Sequence, residues 1–143
     1  MNVRITQLWK IPVFCLVAGF VSFYAYVLLV SRFAIVQLPD GSYTANNTLT
    51  LLFSTLFFLL TLAAGQLFLR NMTATERILS ATIQVVLLMV FRVLPSNSLL
   101  SAYATEWSRV IDHMVFVATD NIRIAAWSNC FSPLLLIPQL KRR

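Results

Sequence analysis

Ile11 to Ser31 and Leu49 to Leu69 are two uncharged, apolar runs, the first bounded by Lys10 and Arg32, the second closed by Arg70. At about 1.5 Å per residue, each is long enough to cross a hydrocarbon layer of roughly 30 Å as an α-helix. Pro12 fits the first turn of the first helix, where a missing N–H costs nothing. A cleaved signal peptide is disfavoured, because the run is longer than the usual apolar region of one and no A-x-A pattern ends it. Leu38-Pro39-Asp40-Gly41-Ser42 reads as a turn, and the stretch on through Asn46 and Asn47 as polar loop. Asn46-Asn47-Thr48 matches a glycosylation acceptor, which has meaning only in a eukaryotic secretory setting.

Thr73-Ala74-Thr75-Glu76 has the spacing of a capping box, in which a threonine hydroxyl and a glutamate satisfy two free backbone donors. It starts a third apolar helix that runs to about Leu94 and stops before Pro95, with Arg77 and Arg92 near its ends, where long side chains reach headgroups. The short connection from Arg70 to Glu76 makes helices two and three an antiparallel hairpin. In the last third, the apolar core Ile124 to Ile137 is short for a crossing, so a full span ending near Ile137 must begin near Phe116 and take in Asp120 and Arg123. The pattern therefore predicts one all-α domain over residues 1–143. It is a polytopic bundle of about four transmembrane helices, near 11–31, 49–69, 74–94 and 116–137, with an amphipathic segment before or merging into the last.

That amphipathic segment is the strongest periodic signal in the chain. On a helix at about 100° per residue, Thr105, Glu106, Arg109, Asp112, His113, Asp120 and Arg123 fall within roughly 120°, and Phe116 is the one apolar residue among them. Two arrangements satisfy this pattern. One is an amphipathic helix lying at the membrane surface, its charges paired at i, i+3. The other is a polar wall facing a cavity within the bundle, where ionisable residues are costly and mark a site or pathway. In the second arrangement Asp120 and Arg123 are expected to form a partly buried pair.

Composition changes the picture only by naming the solvent. Hydrophobic residues make up 59% of the chain and charged residues 11%, less than half the usual charge of a soluble domain, so the missing solvent is lipid. The net charge of +6 does not indicate nucleic acid, because the basic residues flank apolar runs instead of forming a face with polar readers. With both termini cytoplasmic, that side holds Arg4, Lys10, Arg70, Arg77, Lys141, Arg142 and Arg143 against Glu76 alone. The opposite side holds Arg32, Arg92, Arg109 and Arg123 against Asp40, Glu106, Asp112 and Asp120. The bias in Lys and Arg fixes this orientation in a plasma membrane and favours four spans over three.

Candidate chemistry is sparse. Cys15 and Cys130 lie in apolar stretches without a C-x-x-C, and the only histidine, His113, is far from both, so neither a disulfide framework nor a metal site is expected. His113 is the natural candidate for proton transfer, but no serine or cysteine stands at a motif-defined position to act as its nucleophile. Gln66 and Gln84, inside apolar runs, are expected to hydrogen-bond between helices. Ala18 with Ser22, and Thr61 with Gly65, are small-residue pairs that permit close helix approach. Arg32 and Arg92 each follow an odd-numbered span at the outer interface and precede a Leu-Pro turn, a weak hint of an internal repeat.

In size and span count the chain resembles small bacterial membrane proteins, including minimal multidrug transporters. A proton-coupled exporter of that kind needs an acidic residue well inside an early span, and the first three spans have none in their interiors. A non-catalytic accessory, scaffold or interaction subunit is therefore the first expectation. A small transporter or permease component using the stripe 106–123 is the second, and a membrane-embedded enzyme the third. The expected partners are the lipid bilayer and either a second copy of the chain or another membrane protein; no cofactor is expected.

Overall fold

The computed structural model describes residues 4–93 and 99–138. Three of its helical stretches are long and apolar enough to cross a membrane: Ile5–Ala34, Asn47–Phe68 and Ala74–Val93. The first is composite, comprising α1 (Ile5–Leu8), α2 (Lys10–Leu29) and a π-helical turn over Val30–Ala34. The break between α1 and α2 follows from Pro12, which has no N–H to offer the carbonyl one turn back. The Ser80 hydroxyl takes that place, donating to Leu8 O at 2.6 Å, and it accepts from the displaced Ile11 N–H at 3.2 Å. A side chain of a neighbouring helix thus satisfies the backbone that the proline leaves open.

The connection from α2 to α3 (Asn47–Phe68) is a two-stranded hairpin, β1 (Ile35–Gln37) with β2 (Tyr43–Ala45), where a polar loop was expected. Its turn is the Leu38–Ser42 segment. Asp40 Oδ1 accepts from Ser42 N at 2.9 Å, and Gly41 takes the positive φ of +83° that the turn requires. Asn46 then caps α3, its side chain accepting from the Thr48 and Leu49 amides. The box before α4 (Ala74–Val93) is formed. Glu76 N donates to Thr73 Oγ1 at 3.3 Å, and Thr73 N donates to Glu76 Oε2 at 2.9 Å.

α2, α3 and α4 run antiparallel in sequence order, which defines two ends. At the basic end, Arg4 grips Glu76 through Nε at 2.9 Å and Nη2 at 3.0 Å. Beside it the buried Arg77 donates to four acceptors: Gln66 Oε1 (2.9 Å), Leu69 O (2.8 Å), Pro138 O (3.2 Å) and Leu136 O (3.3 Å). Arg77 is only 2% exposed, so its head is held inside the bundle and does not reach outward as expected.

The last third departs most from the expected arrangement. Residues 116–137 are not one continuous helix, and 105–123 is not one helix with one wet face. Instead α5 (Leu99–Glu106) descends antiparallel to α2, α6 (Arg109–Thr119) climbs back, and α7 (Ile122–Asn129) turns inward again into a 3₁₀ turn over Ser132–Leu136. The descent is fixed by Gly19. A Cβ there would stand 1.5 Å from Tyr103 O, so α5 lies against the bare backbone of α2. At the bottom, Trp107 is 1% exposed and stacks on Phe58, in the middle of α3, with ring centroids 5.9 Å apart. Burial of this indole pulls the chain into the bundle and ends α5. The second break is at Asp120, which takes left-handed φ and ψ of 48° and 31° and donates to Phe116 O; Asn121 then caps α7. From α7 through the 3₁₀ turn the chain travels from the cleft end to the basic end as an interrupted passage. Gly65 admits Leu136 there: a Cβ on Gly65 would stand 2.7 Å from Leu136 Cδ2.

Candidate functional site: a polar cleft at one end of the bundle

At the end opposite Arg77, the descending and climbing helices leave a cleft of about 520 Å³. Tyr26 of α2, Thr50 and Ser54 of α3, and Arg92 of α4 line it together with Thr105, Glu106, Arg109, Asp112 and His113, and Leu51, Phe116 and Ile122 add apolar wall. Five residues of the sequence stripe, Thr105 among them, thus meet three helices that sequence periodicity alone does not bring to them. Asp120 and Arg123 are not in the wall. Both are exposed, they sit on opposite sides of the α6–α7 break, and no ion pair joins them among the described residues. The expected buried pair is corrected, because the left-handed turn at Asp120 ends the helical register that would have put the two on one face.

Each charged group of the cleft has its own support. Arg109 Nε stands 3.0 Å from Glu106 Oε1, one turn back, and its guanidinium lies over the Tyr26 ring at 4.4 Å. Arg92 Nη2 donates to Ala126 O at 2.8 Å, fastening the end of α4 to α7. Asp112 Oδ2 accepts from Asn129 Nδ2 at 2.9 Å, whereas Oδ1 is shielded from solvent and has no hydrogen-bond partner among the described residues. Asn129 is fully buried and is itself locked: its Oδ1 accepts from Ser108 Oγ, and its Nδ2 also reaches Thr105 O at 3.3 Å. Ser108 Oγ further stands 2.9 Å from Ser132 Oγ. This polar knot lies where the α5–α6 turn meets the interrupted passage, and it holds the Asp112 carboxylate in one orientation.

Electrostatics follow from this half-burial. Loss of water pushes the Glu106 carboxyl above its usual range, with Arg109 pulling it back and Asp112 adding to the rise. Burial likewise raises Asp112, against the Asn129 hydrogen bond and the Arg92 and Arg109 charges. Two carboxylates and two guanidiniums give the wall no net formal charge.

The remaining sequence candidates lie elsewhere. Gln66 accepts from Arg77 at the basic end, and Gln84 is buried on the inner face of α4. Arg32 is exposed in the π-helical turn, while Arg92 belongs to the cleft. Cys15 and Cys130 are buried in two separate apolar clusters. Sequence reasoning missed Tyr26, Thr50, Ser54, Ser108, Asn129 and Gly19. For Asn129 a signal existed, since an asparagine within an apolar stretch needs a buried partner. For Gly19, a glycine mid-run in the first apolar helix was the signal. No family model matches the sequence, and no curated protein and no solved structure matches it.

Proposed function

We propose that this chain is a multi-pass protein of the plasma membrane that works by binding, as a non-catalytic accessory or interaction subunit, through the cleft at the Arg92 end of its bundle. The observation that carries the reading is that Glu106, Arg109, Asp112 and His113 turn inward onto α2, α3 and α4 around one cavity. A surface-lying helix would spread them over headgroups. A cavity of this size falls within the roughly 300–1,000 Å³ of small-molecule sites. Charge distribution supports an orientation with both termini cytoplasmic and the cleft on the opposite face, and the interrupted α7–3₁₀ passage supports a fourth crossing.

A small permease component is the second reading. Interrupted crossings beside a polar site are the way transporters handle polar solutes at membrane depth. Trp107 and the Ser108–Asn129 knot are buried beside Glu106 and Asp112 of the cleft, and a permease would have to move them to open a path.

The test is complementation in a deletion strain with a scorable membrane or metabolite phenotype. Wild type and Arg123→Ala should rescue, whereas Arg92→Gln and Asp112→Asn should not, at equal amounts in the membrane. Full rescue by both cleft variants would overturn the reading. Uptake of labelled solute into vesicles bearing the purified protein separates the permease from the binding subunit.

A further inference from the structure

Within the cleft, internal pairing is uneven. Glu106 and Arg109 neutralise each other at 3.0 Å, with Arg109 seated on Tyr26. Asp112 and Arg92 line the same cavity, and the Arg92 charge offsets part of the rise that burial gives the Asp112 carboxyl, yet no ion pair forms between them among the described residues. Asp112 Oδ1 and Glu106 Oε1 are both shielded from solvent without a hydrogen-bond partner among the described residues, but only Glu106 has an ion-pair partner; Arg92 is exposed and donates to Ala126 O. A carboxylate and a guanidinium that are not ion-paired among the described residues thus line one cleft. A simple cation would satisfy the first and leave the second, and a simple anion would do the reverse.

We propose that the cleft receives a small zwitterion, its primary ammonium donating to Asp112 and its phosphate or carboxylate accepting from Arg92. This rests on the reading of the cleft as a binding site and names what it binds. Net charge agrees, since a neutral dipolar ligand leaves the balanced wall balanced. Preorganisation agrees as well. Asp112 is aimed by the fully buried Asn129, which Ser108 and Thr105 O hold in turn, so the acceptor is in place before the ligand arrives. Phe116 and Ile122 offer an apolar wall for the methylene groups between the two charged ends. The same chemistry comes from two sources: a soluble compound, or the ethanolamine phosphate headgroup of a lipid entering from the bilayer.

The experiment uses the full chain, purified in detergent and in nanodiscs. Glycerophosphoethanolamine, whose phosphodiester and ammonium leave it net neutral, is titrated by calorimetry beside ethanolamine and inorganic phosphate. The whole zwitterion should bind at least about tenfold more tightly than either half, which is what one additional charge-assisted hydrogen bond gives. Asp112→Asn and Arg92→Gln should each weaken it by a similar factor while the melting temperature stays near wild type. Retention of phosphatidylethanolamine over phosphatidylglycerol in nanodiscs, lost in the same variants, identifies the headgroup as the source; binding of the soluble probe without that retention identifies a solute. Either half binding as tightly as the whole overturns the proposal, and this arm needs no variant to fold. Absence of binding to any of the probes, lipids included, also overturns it. If the cleft variants still fail to complement in that case, the cleft remains a binding site and only the zwitterion is wrong.

Discussion

The two ends of the bundle carry similar numbers of charges and treat them in opposite ways. At the basic end, Glu76 accepts from the Arg4 backbone, from two nitrogens of its guanidinium and from the Thr73 amide. Arg77 beside it donates to the carbonyls at the ends of α3 and of the 3₁₀ turn. These groups close off chain ends, and their hydrogen bonds are made within the protein. At the cleft end, Asp112 keeps an oxygen without a donor among the described residues and Arg92 is open to solvent. One end uses charge to tie the helices together, and the other keeps charge available. Burial alone does not separate them, because both contain carboxylates shielded from water; the supply of donors does.

The largest expected effect tests the tying function. Arg77→Met keeps the stem and removes the head, leaving Gln66 Oε1 and three backbone carbonyls without their donor. At about 1–3 kcal/mol for each buried group left unpaired, less what relaxation and water recover, a loss of about 3–5 kcal/mol is expected. Denaturant titration in detergent reads this directly. A loss below about 1 kcal/mol would mean that water already serves these carbonyls and that the basic end is no tighter than the other.

Gly19→Ala is the next largest. The added methyl cannot coexist with Tyr103 O, so α5 must withdraw from α2 at an overpacking cost of about 2–3 kcal/mol. The damage should be confined to the cleft half. Thiol labelling of Cys15 and Cys130, both buried against this region, should accelerate, while the Arg4–Glu76 contact persists. Unchanged labelling would show that α5 does not depend on this approach.

Why the two ends differed in legibility follows from the range of the interactions. The capping box, the Leu38–Ser42 turn and the apolar helices are set by residues within a few positions of one another, and local pattern reveals them. The fold of 105–138 is set by distant contacts: Gly19 with Tyr103, Trp107 with Phe58, Asn129 with Asp112. Periodicity put Glu106, Arg109, Asp112 and His113 on one face of one helix that ran through to Arg123, whereas the four line one cleft from two helices, α5 and α6. A helical wheel has no means of registering that a tryptophan seeking the core, or an Asp-Asn pair adopting a left-handed turn, ends the register. Arg92 shows the same limit, since from sequence it differed little from Arg32, and only the return of α7 distinguishes them.

Asp112→Asn sharpens the contrast with a smaller effect of opposite sign. The amide keeps an acceptor for Asn129 and removes a half-buried charge, so free protein should be unchanged or up to about 1 kcal/mol more stable. The pH dependence follows. Burial raises the Asp112 carboxyl in the folded state, so between its ordinary and raised values the folded chain holds more protons than the unfolded one. Stability therefore falls as pH rises through that window. Lowering the pH from neutrality should stabilise wild type relative to Asp112→Asn until Asp112 is protonated in both states. A gap that widens on acidification would reverse the sign and place Asp112 among the satisfied groups.

Asp120 and Arg123 give the smallest effect and the sharpest test of how far the stripe extends. Both are exposed, in separate helices, without an ion pair between them among the described residues. Arg123→Ala should change stability by less than about 0.5 kcal/mol. Asp120 matters through its backbone instead, because φ of 48° is a conformation that glycine tolerates and alanine resists. Asp120→Gly should match or exceed wild type and Asp120→Ala should lose about 1 kcal/mol, the order a left-handed cap imposes and a buried ion pair does not. In the cycle of Asp120→Ala, Arg123→Ala and the double variant, the coupling should lie within about 0.3–0.5 kcal/mol of zero. Coupling above about 1 kcal/mol, with glycine as harmful as alanine, would restore a helix running through Asp120 and carry the polar wall past the α6–α7 turn.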